Sequence, residues 1–146
     1  MQRTFDSPLG RILLTEKEGC LTGLDFTDAP LLSADCPVLR EAERQLREYF
    51  AGERKFFSLP LAPEGTPFQR AAWESLQRIP YGETRSYAWE AMQIGRPGAC
   101  RAVGNANGKN PLPILIPCHR VIAADGTLGG YSSGIWRKEY LLALEK

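Results

Sequence analysis

The sequence predicts an α+β protein with two lobes: a small N-terminal lobe made of a short antiparallel sheet and a helix, and a mainly helical C-terminal lobe. Strand-like segments bounded by turn residues come first, and apolar residues at helical spacing dominate after position 66. Between these regions, "LAPEG" (61–65) combines proline and glycine as linkers do. We therefore assign residues 1–62 to an N-terminal lobe and residues 66–146 to a C-terminal domain.

The N-terminal lobe contains three predicted strands followed by a helix. The strand-like segments lie around 2–6, 10–16 and 20–27, with breaks at Ser7-Pro8 and Glu18-Gly19. The segment "PVLREAERQLREYFAG" is predicted to be helical, and Gly52 ends the pattern. Its apolar positions are Val38, Leu39, Ala42, Leu46, Tyr49 and Phe50. The stretch "KFFSLP" (55–60) is predicted as a further strand.

The C-terminal lobe begins with a helix that Thr66 caps, with Pro67 in its first turn and Gln69 completing a capping box. Its predicted core residues are Phe68, Ala72, Leu76 and Ile79, and Pro80 ends it. Two short helical patterns, "SYAWEAMQIG" and "GACRAVGNANG", then flank a glycine turn. That spacing fits a helix-turn-helix and also an ordinary corner between two helices. The last helix, "IWRKEYLLALEK", is predicted to have Ser133 as its N-cap and to bury Ile135, Tyr140, Leu141 and Leu144.

Composition narrows the class of protein. No apolar run approaches the roughly 20 residues that a membrane span needs, and the first residues lack the apolar core of a signal peptide. We therefore expect a cytoplasmic protein whose four cysteines are reduced. A single histidine and the absence of a CxxC pair argue against a zinc site.

Charge is unevenly distributed along the chain. Residues 1–65 carry 8 Lys and Arg against 11 Asp and Glu, a net charge of −3, whereas residues 66–146 carry 10 against 6, a net of +4. Between positions 85 and 120 there is one acidic residue, Glu90, and five basic ones: Arg85, Arg96, Arg101, Lys109 and Arg120. This window is either a solvated face or an anion-binding footprint for phosphates.

The second helix of the pair is unusually rich in small residues. Gly98, Ala99, Ala102, Gly104 and Ala106 lie within nine positions, although glycine costs a helix up to about 1 kcal/mol per site. Tight packing against another helix would explain this composition. Close approach to the minor groove of DNA, about 6 Å wide, would explain it too, with Arg101 as a long cation on a thin helix.

The stretch "PILIPCHRV" (113–121) places the only histidine beside a cysteine, after an apolar run predicted as a strand over 114–116. Cys118 is a buried structural thiol, a metal ligand without further ligands, or a nucleophile whose proton His119 accepts. Pro117 favours a turn, on which both side chains reach one site. A carboxylate should orient the imidazole, and Glu145 on the last helix is one candidate.

The "PCHRV" box, preceded by "RAVGNANGKNPLPILI" and followed by "GGYSSGIWRKEYLLALE", closely resembles the O6-alkylguanine-DNA alkyltransferase family. The resemblance is strong over 66–146 and weak over the N-terminal lobe. It implies that Cys118 is the acceptor cysteine, that His119 relays its proton through a water, and that Glu145 orients His119. Asn110 matches the asparagine that holds the active-site turn, and Tyr87 the tyrosine that serves the flipped base and its leaving oxygen.

The resemblance also implies which residues contact DNA. Gly130, Tyr131 and Ser132 match the loop that lines the base pocket. Helix 98–107 matches the recognition helix, which lies in the minor groove, and Arg101 matches the arginine that enters the duplex where the base was. Ala99 and Ala102 share that helix. Arg96, Lys109 and Arg120, with Arg85, are candidates for phosphate contacts or for structural pairing.

The resemblance implies DNA repair by direct reversal. The alkyl group of O6-alkylguanine, and of O4-alkylthymine, in double-stranded DNA moves irreversibly to Cys118 after base flipping. The protein is then a single-turnover methylated-DNA–protein-cysteine methyltransferase. Because the lesion itself is the alkyl donor, no cofactor is needed. We further expect no metal, no membrane partner and a monomer.

Three other readings compete with this one. Alkyltransferase-like proteins bind the lesion without chemistry, but they replace the acceptor cysteine, and position 118 is Cys. A helix-turn-helix regulator would be expected to dimerise and to present a polar recognition helix to the major groove. A Cys-His hydrolase would turn over an ester substrate, which a single-use acceptor does not.

Overall fold

In the computed structural model, which describes residues 1–146, the chain divides into two units, Met1–Glu64 and Gly65–Lys146. The N-terminal unit contains strands β1 (Gln2–Ser7), β2 (Gly10–Lys17) and β3 (Cys20–Phe26), followed by helix α1 (Pro37–Phe50). The strands form an antiparallel sheet in the order β1-β2-β3. Glu18 and Gly19 join β2 to β3 with positive φ angles of 54° and 81°, as the tightest hairpin turns require.

One face of this sheet packs against α1. Ile12 and Leu14 alternate with more exposed neighbours along β2, as expected for a strand with one buried face. The apolar face of α1 covers them through four fully buried residues, Leu39, Ala42, Leu46 and Tyr49. The α1 prediction is thus confirmed, with Val38 and Phe50 half-buried at the margin of that face.

The predicted strand over 55–60 is wrong. This segment has no regular structure, and Phe56 is 75% exposed. Its backbone is held instead by Gln45 of α1, whose side chain accepts from the Ser58 amide at 3.0 Å. Pro60 has no N–H to donate to a ladder. Next to this segment, Leu61 forms a single parallel bridge to Leu21.

The C-terminal unit contains α2 (Pro67–Leu76), β4 (Arg85–Ser86), α3 (Tyr87–Gln93), α4 (Cys100–Gly108), β5 (Val121–Ile122) and α5 (Ile135–Leu144). Strands β4 and β5 form a short parallel pair. The predicted capping box at Thr66 and Gln69 is present. Helices α2, α3 and α4 pack on one another, and α3, a turn and α4 form the helix-turn-helix. The α+β prediction is confirmed. No helix combines the length and the hydrophobicity that a membrane span requires.

Two local predictions in this unit are wrong. Residues 114–116 are not a strand but a tight turn, in which Ile114 has a φ of +74°. Helix α5 is capped by the backbone of Gly134, not by Ser133. Its buried residues are Lys138 and Leu141, with Glu145 just beyond its end, whereas Ile135 and Tyr140 are exposed and Leu144 is half-buried. The helix therefore turns charged residues inwards, which an apolar pattern does not anticipate.

Candidate active site and nucleic-acid interface

The candidate nucleophile follows directly after a strained turn that Asn110 holds together. The Asn110 Nδ2 atom donates to the Ile116 carbonyl at 2.9 Å, and its Oδ1 accepts from the Leu112 amide at 3.0 Å. Between these bonds Ile114 adopts its positive φ, which is a rare and costly conformation for a β-branched residue. The two hydrogen bonds of Asn110 and the burial of Ile114 stabilise this turn, and the turn fixes the position at which the chain reaches Cys118.

Cys118 is the first residue of a single 3-10 turn, Cys118–Arg120. Its side chain and that of His119 therefore do not point to opposite faces, as they would on a strand. Both side chains are buried, with His119 fully inaccessible to solvent and Cys118 7% exposed. The Nε2 atom of His119 lies 2.7 Å from Oε2 of Glu145. No protein group donates to the buried Nδ1 atom. With Nε2–H bonded to the carboxylate, a neutral imidazole keeps Nδ1 as the atom that accepts a proton.

The carboxylate of Glu145 is itself paired. Arg120 donates from Nε to Oε1 at 2.8 Å and from a terminal nitrogen to Oε2 at 3.0 Å, a two-bond arrangement with good geometry. A further guanidinium nitrogen donates to the Ile79 carbonyl at 2.7 Å. Arg120 was a candidate either for a DNA phosphate contact or for structural pairing. It is 7% exposed and its guanidinium is paired inside the unit, so the structure contradicts the DNA contact.

Burial sets the protonation states of the resting site. It raises the pKa of the Cys118 thiol to about 11, against smaller opposing effects of Asn110 and of the Lys138 charge. Burial also lowers the pKa of His119, although Glu145 acts in the opposite direction. At neutral pH the pair is therefore a thiol beside a neutral imidazole. The thiolate forms only as its proton leaves, so a base must accept the proton during the reaction.

Lys138 is a site residue that the sequence did not point out. It is fully buried, and its Nζ donates to three backbone carbonyls, of Val121 at 2.6 Å, of Leu128 and of Gly130 at 3.2 Å. It thereby fastens both ends of the loop between β5 and the cavity. Burial lowers its pKa to about 8, and its positive charge favours the thiolate of Cys118. The available signal was its spacing from Leu141 and Glu145, which places all three on one helical face.

The thiol opens into a cavity of about 690 Å³, within the range of roughly 300–1,000 Å³ typical of ligand sites. Its lining comes from the start of α3, from α4, from the turn that carries Cys118 and from the glycine-rich loop (residues 126–134). It consists of Tyr87, Cys100, Arg101, Gly104, Asn107, Gly108, Cys118, Gly130, Tyr131 and Ser132. All three residues predicted to bind the base are in this list. Burial raises the pKa of Tyr131, and proximity to Cys118 adds to that rise. Both phenols, of Tyr87 and Tyr131, are therefore protonated donors at neutral pH.

One glycine makes room for the ring of Tyr87. A Cβ atom on Gly129 would lie 2.6 Å from the Tyr87 hydroxyl, whereas one on Gly104 would lie 3.7 Å from the ring, an ordinary van der Waals contact. Gly129 also has a φ of +73°, which other residues rarely adopt. The tyrosine is thus seated between α4 and the loop, and burial raises the pKa of its hydroxyl. Among the small residues of α4, Ala106 is buried and its carbonyl accepts from Nε1 of Trp73 at 2.8 Å, which fits the packing role proposed from the sequence.

The other face of α4 is open to solvent and carries unpaired positive charge. Arg101 and Ala102 are exposed, Ala99 is half-buried, and Arg96 and Lys109 lie exposed in the turn before the helix and at its end. None of these three cations forms an ion pair or a side-chain hydrogen bond. Arg85, by contrast, pairs with Glu83 at 2.9 Å. Arg101 belongs both to this face and to the rim of the cavity.

The arrangement thus brings together most of the residues that the sequence selected. His119 is bonded to Glu145, Asn110 clamps the turn that precedes Cys118, and Cys118 lines the cavity together with Tyr87, Gly130, Tyr131 and Ser132. Besides Lys138, sequence reasoning missed four residues that line the cavity, Cys100, Gly104, Asn107 and Gly108. No group of three or more His, Cys, Asp or Glu is placed to hold a metal ion.

Both units match families of known proteins. Residues 1–63 match the ribonuclease-like domain of 6-O-methylguanine DNA methyltransferase, and residues 67–146 match the DNA binding domain of 6-O-methylguanine DNA methyltransferase. The methylated-DNA–protein-cysteine methyltransferase of Methanosarcina barkeri is 51% identical, over 97% of this chain and 94% of that protein. The constitutive methylated-DNA–protein-cysteine methyltransferase of Bacillus subtilis is 46% identical, over 98% and 93% respectively.

A solved structure is similar over the same extent. The crystal structure of Mycobacterium tuberculosis OGT in complex with DNA superposes with a TM-score of 0.91 and is 49% identical in sequence, covering 99% of this chain and 92% of that one. The similarity extends over the N-terminal unit, where the sequence resemblance had been expected to be weak.

Proposed function

Because the chain belongs to the 6-O-methylguanine DNA methyltransferase family, we propose that it repairs O6-alkylguanine in DNA by moving the alkyl group irreversibly to Cys118. One observation carries the proposal. The Cys118 thiol faces a cavity of suitable size, and the next residue on the same turn is a neutral imidazole bonded to a buried carboxylate. In this proposal residues 66–146 bind DNA and accept the alkyl group, and residues 1–62 form a separate N-terminal lobe.

The transfer is a single displacement at carbon. The proton of Cys118 passes through a water to Nδ1 of His119, and Glu145 stabilises the imidazolium that forms. The sulfur electron pair attacks the alkyl carbon as the bond from that carbon to O6 breaks. A thioether and a guanine anion result. No group in the site regenerates the thiol, so one molecule repairs one lesion.

The leaving guanine must receive a proton, and Tyr87 is placed to supply it. Its hydroxyl reaches the loop beside Gly129, and its ring lines the same cavity as the thiol. A raised pKa means that the phenol keeps its proton until a strong base appears beside it. Tyr131 and Ser132 line the same cavity and hold the base edge.

The base reaches the cavity only after leaving the duplex, because stacking shields its alkyl carbon. The exposed face of α4 lies against the minor groove, where its small side chains permit close approach. Arg101, at the rim of the cavity, fills the space that the base vacates. Arg96 and Lys109 contact phosphates on either side. A reducing compartment, the cytoplasm, suits a protein that acts through a free thiol, and a monomer suffices for this chemistry.

The test is the mass of the intact protein after incubation with duplex DNA that carries one O6-methylguanine. We expect a single stoichiometric gain of about 14 Da, one methyl replacing one hydrogen, which Cys118→Ala abolishes. Cys100→Ala is the matched control, because Cys100 is the other thiol that lines the cavity, and this variant should still gain the mass. A gain lost only in Cys100→Ala would assign the acceptor to Cys100.

Other outcomes would favour the competing functions. Binding to lesion DNA without any mass gain would indicate a non-enzymatic lesion-binding protein. Absence of both mass gain and lesion preference, with turnover of an ester substrate, would indicate a hydrolase.

A further inference from the structure

A buried carboxyl on α3 has no role in the mechanism above. Glu90 is fully inaccessible to solvent and lies between helices of the helix-turn-helix. Its Oε1 atom accepts a hydrogen bond from Nδ2 of Asn107 on α4 at 2.8 Å. Its Oε2 atom is buried without a hydrogen-bond partner, and so is Oδ1 of Asn107. Two side chains that already share one bond thus each leave one oxygen unsatisfied.

A single proton would satisfy both oxygens. An ionised carboxylate and an amide oxygen are both acceptors, so they cannot bond to each other. A protonated carboxyl instead offers one O–H donor beside one acceptor, and a carboxamide offers one N–H donor beside one acceptor. The two groups can then pair through two hydrogen bonds in a ring. Buried polar atoms are rarely left unpaired, since each costs about 1–3 kcal/mol.

We propose that Glu90 is held in its neutral, protonated form as a ring-bonded acid–amide pair with Asn107, which fastens α3 to α4 and keeps negative charge away from Cys118. Asn107 lines the same cavity as the acceptor thiol, so this pair lies directly behind the cavity wall. The role of Glu90 as a positioning residue rests on the proposed function, whereas the existence of the acid–amide pair is independent of it.

The surroundings of Glu90 contain no cation that would hold it ionised. The charged and titratable residues on the elements packed against α3 are all exposed or half-buried, and they are Arg70, Glu74, Arg85, Cys100 and Arg101. Arg78, just beyond α2, is also exposed and donates to Gln93. Arg78 pairs with Glu74 and Arg85 with Glu83. Burial raises the pKa of Glu90 to about 7, and donation from Asn107 only partly opposes this. A negative Glu90 in turn raises the pKa of Tyr87 and of Cys118.

The sign of the pH dependence follows from this raised pKa. In the unfolded chain Glu90 ionises near its ordinary value of 4.5. The stability that the neutral pair contributes is therefore complete below pH 4.5 and is lost as the pH rises through about 7. Over the same range the cavity wall acquires a negative charge, which opposes thiolate formation. Glu90→Gln retains a neutral side chain that can pair with Asn107 at every pH.

The first test needs no activity. Carboxyl carbons of the wild-type protein, labelled with ¹³C at glutamate, are followed by NMR from pH 4 upwards, with the Glu90 signal assigned by its loss in Glu90→Gln. We expect a midpoint near 7, far above the ordinary glutamate value of 4.5. A midpoint below about 5, close to ordinary glutamate values, would overturn the proposal.

The second test measures single-turnover methyl transfer at pH 6 and pH 9 for wild type, Glu90→Gln and the control Glu139→Gln. The rate ratio of Glu90→Gln to wild type should rise roughly 2- to 10-fold between the two pH values, equivalent to at most about one pK unit at the thiol. The ratio for Glu139→Gln should stay flat. If the rate ratio of Glu90→Gln to wild type is the same at pH 6 and pH 9, Glu90 does not act as a positioning residue for Cys118. Absence of methyl transfer in all three proteins, with Glu90 titrating near 7, would contradict the proposed function and leave the pair intact.

Discussion

At the scale of single residues, the site is a chain of buried groups in which each charge is matched by the next. Arg120 holds Glu145, Glu145 holds His119, and His119 leaves one nitrogen available to accept a proton. Burying an unpaired charge is far more costly than burying a pair. The removal of one member should therefore damage stability and chemistry together.

Glu145→Gln tests this chain. The substitution leaves the buried Arg120 cation without its carboxylate, so we expect a loss of about 3 kcal/mol or more in the free energy of unfolding. It also removes the charge that stabilises the imidazolium, so single-turnover methyl transfer should slow by about 100-fold. Chemical denaturation and quenched-flow transfer measure the two effects.

Glu139→Gln, on the exposed face of α5, is the control for Glu145→Gln and should change neither quantity. Transfer at the wild-type rate by a folded Glu145→Gln protein would show that His119 does not need this carboxylate.

At the scale of structural elements, the glycine-rich loop shapes the cavity by the space that it leaves. Gly129 and Gly126 both have positive φ angles, 73° and 89°, but only Gly129 faces Tyr87. We expect alanine at either position to cost roughly 1–2 kcal/mol of stability, because left-handed backbone is unfavourable for residues with a Cβ. Only Gly129→Ala should also slow methyl transfer, since its Cβ would displace the Tyr87 hydroxyl. Equal transfer rates in the two variants would contradict this role of Tyr87.

Lys138 fixes the same loop from within α5. Lys138→Met removes a charged donor from three carbonyls, so we expect a loss of about 2–3 kcal/mol in unfolding free energy. Amide hydrogen exchange should accelerate over residues 121–130, and methyl transfer should slow, because the charge near Cys118 is lost. The exposed Lys146→Met is the control. Unchanged exchange over that loop would show that Lys138 does not hold it.

The elements themselves were largely predictable from the sequence, because hydrophobic spacing and capping residues act locally. The three strands, α1 and the capping box of α2 are examples. The turn at 114–116 was not predictable, since its apolar residues are typical of a strand and the side chain of Asn110 outweighs that tendency. The inward face of α5 escaped prediction for a related reason: Lys138 and Glu145 are buried only because partners distant in sequence satisfy them. The PCHR motif indicated the nucleophile. Which nearby cations remain free to contact DNA depended on pairing between residues distant in sequence, such as that of Arg120 with Glu145.

At the scale of the whole molecule, the two units use their cations differently. In the N-terminal unit Arg3, Arg11, Arg40, Arg44, Arg47 and Arg54 are all in ion pairs. In the C-terminal unit Arg96, Arg101 and Lys109 are exposed and unpaired along one helix and its ends. Since paired charges contribute little to a long-range field, the net charge of the whole chain, +1, understates the attraction of this face for phosphates.

The salt dependence of DNA binding tests whether this face contacts phosphates. The logarithm of the binding constant for duplex DNA should fall linearly with the logarithm of salt concentration, by about 0.9 for each neutralised phosphate. We expect Arg96→Gln and Lys109→Gln each to reduce that slope by about 1, and the two changes to add because the residues lie at opposite ends of α4. Lys17→Gln, an exposed cation of the N-terminal unit, should leave the slope unchanged. Titration of a fluorescent duplex by anisotropy at several salt concentrations gives the slopes. Equal slopes for wild type and for the double variant would show that the phosphate contacts lie elsewhere on the molecule. That result would also contradict the minor-groove role assigned to α4.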